Sequence, residues 1–172
     1  MQFVSEQNIE QVIARMDEDV ANYTNLMEAL QERQPAIHSY LFAESFLLLS
    51  QNERELLLYL LLVVWQASEQ VNGTLPAVPV EILEAAEDAH YALLEKTKSK
   101  EFRERLDPFF QTTQQEDLLA FAEDSLMPSA EEEATEEDTI SDAAREPIFI
   151  AIASVVAAFT KVLSKSKTAK EK

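Results

Sequence analysis

Near the start of the chain Ile9, Ile13, Met16, Val20, Tyr23, Met27 and Leu30 recur at alternating steps of four and three. That spacing puts one side chain per turn on a single stripe and predicts a long amphipathic helix over 5–34. At about 1.5 Å per residue it would run roughly 45 Å, its stripe packing on neighbours in the same chain. Pro35 suits a first helical turn and is excluded from an interior one, so it ends this helix or opens the next. A second helix is predicted to about Leu48. Ile37, Leu41, Ser45 and Leu48 lie along one side, and Phe42, Phe46 and Leu49 widen the apolar flank.

Ser50 followed by Glu53 has the spacing of a capping box, in which each side chain accepts from a free backbone amide, and places the start of a third helix at Gln51. Positions 56–65 of that helix are apolar on every side, which predicts a central helix walled in by the others. Asn72 and Gly73 supply a helix stop, and the prolines at 76 and 79 predict an extended connection. A fourth helix is expected over 79–97, with Leu83, Ala86, His90, Leu93 and Leu94 at helical spacing. Lys96, Lys98 and Lys100 at its end offset the helix dipole. Phe102, Leu106, Phe109 and Phe110 mark a short aromatic segment, expected to break at Asp107 and Pro108. Thr113 with Glu116 predicts a second capping box, opening a fifth helix through Leu118, Phe121, Ala122 and Leu126 that Pro128 ends.

A last helix is plainest over 147–164, built on Ile148, Ile152, Val155, Val156, Phe159 and Leu163. A helix of that length is not stable alone in water, so it must dock on the bundle or on a partner. The two apolar runs, 56–65 and 148–159, fall short of the roughly 20 residues that cross a bilayer as a helix, and read as buried helices with no membrane partner. The whole pattern predicts an all-α, single-domain bundle of about six helices. Its expected parts are a core over 1–128, an acidic linker over 129–142, a C-terminal helix over 143–164 packing back on the bundle, and a basic disordered tail over 165–172.

Composition sharpens this picture. One glycine in 172 residues leaves an all-β or α/β fold without its turn chemistry. The hydrophobic share of 47% against 27% charged excludes global disorder. The chain has no cysteine, which removes disulfides, thiolate metal sites and thiol nucleophiles together. Residues 1–10 are polar with two glutamates and carry no secretory signal pattern, so a cytoplasmic location is expected. The net charge of −18 would repel nucleic acid from most of the surface. Two stretches differ: 96–105, with five bases and two acids, and 161–172, with five lysines and one glutamate.

The single glycine also excludes phosphate-cradling loops, dinucleotide fingerprints, the hydrolase serine elbow and the calcium-binding EF-hand loop, each of which needs glycine at fixed positions. Glu87 and His90 form a Glu-x-x-His spacing, which sets a carboxylate and an imidazole on one helix face as di-iron bundles require. Those sites use the motif twice, and His38 has no acid three residues before it, so the pair is a weak metal candidate and no cofactor is expected. The bland alternative packs His90 on the apolar face and leaves Glu87 in solvent. For 96–105, dipole compensation and local acid pairing outweigh a nucleic-acid footprint. The acidic run 131–138 reads chiefly as a solubilising linker, and Trp65 as core rather than a ligand platform.

With no catalytic signature, the expectation is a non-enzymatic protein–protein interaction module that binds a protein partner or self-associates. The alternative is a helical enzyme or ligand carrier using carboxylates and His90 in an interhelical pocket. A third reading is an acidic nucleic-acid mimic.

Overall fold

The computed structural model describes residues 1–18, 22–127 and 140–170, with side chains as far as 165. Among them are eight α-helices and no strand: α1 (Glu6–Glu18), α2 (Asn22–Arg33), α3 (Pro35–Tyr40), α4 (Gln51–Asn72), α5 (Val80–Glu95), α6 (Phe102–Thr112), α7 (Glu116–Ser125) and α8 (Asp142–Lys170). A 3-10 turn, Glu44–Phe46, lies between α3 and α4. The all-α bundle expected from the sequence is present, with eight described helices rather than about six.

The counts differ at two places, the predicted 5–34 helix, whose described parts are α1 and α2, and the aromatic segment. The stripe over 5–34 is shared by α1, which packs on α4 and α7, and α2, which packs on α3. Ile9, Met16 and Leu30 of the stripe are buried, Val12 joins them, and Val20 falls outside the described residues. The helix opened by Pro35 stops at Tyr40 instead of running to Leu48. Leu41, Phe42 and Ala43 close that end through Ile37, Ser39 and Tyr40 carbonyls, and the chain turns. The aromatic segment is a full helix, α6, unbroken at Pro108. Burial of Leu106 and Phe109 on either side of the proline offsets the missing backbone donor. Thr113 and Glu116 make no capping box: the Thr113 hydroxyl accepts from the Gln115 amide at 3.0 Å, and α7 opens after Gln115.

Other signals hold. Ser50 and Glu53 form the capping box in both directions, at 3.2 and 2.7 Å. Gly73 ends α4 with φ 75° and ψ −172°, a conformation close to glycine's alone. Residues 60–65 of α4 are fully buried. The centre of the bundle is nevertheless α8, which packs against α5 most extensively and against α4, α7 and α6 as well. Every residue over 148–156 is buried, as are Ala158 and Phe159. This settles that the C-terminal helix docks on its own bundle. It begins at Asp142, so Pro147 lies inside its second turn, and its backbone continues through Lys170, past the expected end near Ser164 and into the stretch read as a disordered tail. Of the expected linker, residues 129–139 lie outside the described residues.

Three polar side chains fasten the connections. Gln34 and Gln115 are fully or almost fully buried, each in the residue before a helix, with similar backbone angles of −132°, 59° and −126°, 49°. The Gln34 amide accepts from Val78 N–H at 3.0 Å and donates to the Pro76 carbonyl at 3.1 Å. The Gln115 amide accepts from Val4 N–H and donates to the Gln2 carbonyl, both at 3.0 Å. Each glutamine thus pairs with an extended segment much as a neighbouring strand would. Glu53, besides closing its capping box, accepts from the Ser141 amide at 3.0 Å and hydroxyl at 2.6 Å, pinning the start of α8 to the start of α4.

Candidate functional site

Helix α5 lies between α3 and α8, and this separates the two residues of the Glu-x-x-His pair. Glu87 points toward α3 and accepts the hydroxyl of Tyr40. Burial, and then the Glu87 carboxylate, push the Tyr40 phenol far up, so it stays a donor to Glu87. His90 points toward α8, where its Nδ1 lies 2.9 Å from the Ser154 hydroxyl, with its ring 5.3 Å from that of Phe109. Burial lowers the His90 pKa below the ordinary 6.5 and favours neutral imidazole. Among the described residues no group of three or more His, Asp or Glu side chains gathers where a metal ion could be held. His90 therefore packs on the apolar side, as the bland reading has it, but Glu87 is bonded rather than left in solvent.

A cavity of about 310 Å³ opens beside His90 between α8 and the α6–α7 corner. Its walls are Leu119, Ala153, Val156 and Ala157 with Thr113 and Lys161, and among the described residues no carboxylate lines it. The lining thus lacks the acid partner that a carboxylate–histidine enzyme would need there.

The two arginines of the basic stretch over 96–105 are spent locally. Arg103 pairs with Glu123 at 3.2 Å and Asp124 at 2.8 Å. Arg105 grips the Glu146 carboxylate of α8, one of its contacts at 3.2 Å, and donates to the carbonyls of Thr97 and Ser99. Trp65 is wholly buried, with the Arg33 guanidinium 5.1 Å above its ring.

Two surface features are cut for contact. In the α3–α4 connection Phe42, Leu47 and Leu48 are 69%, 64% and 95% exposed, while Phe46 and Leu49 beside them are buried. Phe42 forms one edge of an apolar cleft of about 270 Å³ walled by Met27, Leu41, Leu57 and Leu58. The second feature is a groove of about 420 Å³ between α1 and α7. No protein-family model, curated protein or solved structure matches the chain. Any functional reading therefore stands on these sites alone.

The sequence reading placed Phe42 and Leu48 on the buried side of a helix and so missed the first feature. The signal was present in the form of five large apolar residues in eight positions, 42–49, more than a short segment on one side of a bundle can bury.

Helix α8 bears on the membrane expectation. Its stretch Asp142–Lys165 is long and apolar enough, by length and composition, to cross a bilayer, holding an 18-residue window of mean hydropathy 1.9. That window is longer than the 148–159 run read from the sequence, and 72% of it is buried inside the bundle, as in a core helix.

Proposed function

We propose that the protein is a non-enzymatic helical module that binds another protein through the α3–α4 connection. The observation that carries this is the outward display of Phe42, Leu47 and Leu48. Three large apolar side chains held in water within seven residues cost free energy, at about 25 cal/mol per Å² of apolar surface, that a partner's contact would recover. The connection is not loosely built. Phe46 and Leu49 anchor it in the core, and Ser50 closes it onto α4, so the exposed residues sit on a fixed support. Pre-ordering of this kind lowers the entropic cost of binding. Glu44 within the loop and the net charge of −18 disfavour an anionic lipid surface as the occupant.

A photoreactive residue at position 48, with the same residue at exposed Gln70 as control, tests the reading in the native host. A protein cross-linked from 48 and not from 70, and lost in a Phe42→Ser/Leu47→Ser variant of unchanged melting temperature, supports it. The same proteins captured from both positions, or capture unaffected by the double substitution, would refute it.

A further inference from the structure

We propose that the groove between α1 and α7 is a second docking site, whose occupant is a basic amphipathic helix. Its floor is apolar: Ile9 and Ile13, one turn apart on α1, face Ala120 and Phe121 on α7. Ile13, Ala120 and Phe121 are only partly buried, so the floor is open from the solvent side. The rim is acidic on both walls, with Glu6 and Glu10 on α1 and Asp117 and Asp124 on α7.

The charges on the two walls are handled differently. On α7, Asp117 accepts from the Glu6 backbone amide at 2.9 Å, and Asp124 pairs with Arg103. On α1, Glu6 and Glu10 stand one turn apart, a like-charge spacing that destabilises a helix, and among the described residues no cation pairs with either side chain. A partner with positive charge would remove that repulsion. The floor asks for apolar side chains as well, and the two demands together describe one chemistry. From Glu6 to Ile13 the groove follows α1 for two turns, about 10 Å, so a helix laid along it would seat residues i and i+4 on the isoleucines and Phe121. Its flanking lysines or arginines would then reach the carboxylates on either wall.

This site shares no residue with the α3–α4 connection, so either reading can fail without the other. The test uses the full chain and a fluorescent peptide of leucine and lysine in amphipathic helical order, followed by anisotropy at physiological salt. Saturable binding is expected, weakened about tenfold or more by Glu6→Lys/Glu10→Lys. Ile13→Ala should weaken it as well, by opening the floor. The control Glu84→Lys/Asp88→Lys makes the same charge change one turn apart on α5 and should leave affinity within about twofold. Equal loss in the control would reduce the effect to net charge and overturn the site. So would equal binding of a leucine–glutamate peptide. Self-association of the wild-type chain, abolished by the same groove substitutions, would assign the groove to a second copy and likewise overturn the proposal.

Discussion

The Glu53 carboxylate accepts three hydrogen bonds, one from the Ser50 amide and two from Ser141, 88 positions further along the chain, while its backbone amide donates to the Ser50 hydroxyl. Burial alone would raise its pKa, but the donors of Ser141 and Ser50 outweigh burial and hold it below the ordinary 4.5. A depressed carboxylate contributes stability that is complete above its unfolded pKa and is lost as pH falls through its folded value. Glu53→Gln should therefore cost about 1–3 kcal/mol at neutral pH, read by urea unfolding, with the difference from wild type shrinking below pH 4.5. His90 acts in a separate window. With its folded pKa below 6.5, the unfolded chain takes up its proton first, so stability should fall as pH drops beneath 6.5. His90→Gln should flatten that part of the stability profile, and a profile unchanged by the substitution would disprove the assignment. Gln34→Leu strands the buried Val78 N–H and should cost about 1–3 kcal/mol, again by urea unfolding.

At the level of elements, α6 carries its own test. Pro108 removes one intrahelical donor from a helix of eleven residues, and Pro108→Ala should raise stability by about 1–3 kcal/mol, measurable as a higher melting temperature. The proline also shows where sequence reading fails. A break signal states a local cost, whereas the outcome depends on the burial of Leu106 and Phe109, which only the assembled bundle supplies. Thr113 with Glu116 had the letters of a capping box, but its hydroxyl found a nearer amide. The same spacing at Ser50 and Glu53 does close its box, in both directions. Glu87 and His90 share a helix face by spacing, yet a face some 60° wide touches two neighbours when the helix lies between them. Helical periodicity gave α4, α5 and the apolar body of α8 in advance, since those patterns are decided by burial over many residues. For Phe42 and Leu48 the crowding of apolar residues over 42–49 signalled a surplus but not which of them stay exposed, because an apolar letter records a preference for burial and not its fulfilment.

For the molecule as a whole, the position of α8 dominates. Its buried face meets α4, α5, α6 and α7, so a chain ending at residue 127 would leave four helices without their common neighbour. Such a truncation should keep much of its far-ultraviolet circular dichroism, lose the near-ultraviolet signal of its aromatic residues and bind a hydrophobic dye. A cooperative melt with an intact near-ultraviolet spectrum would show that the first seven helices suffice for a core.

The order of the elements has a consequence for biosynthesis. A ribosome delivers α4, with its all-round apolar residues over 60–65, after α1, which packs on one side of it, but some eighty positions before α8, which covers another. The nascent chain must carry an oily, half-finished surface out of the exit tunnel and keep it from sticking until α8 emerges. Slow translation through the acidic stretch, or a shortage of holding chaperones, would thus harm yield of this protein more than that of a bundle whose core helix is made first.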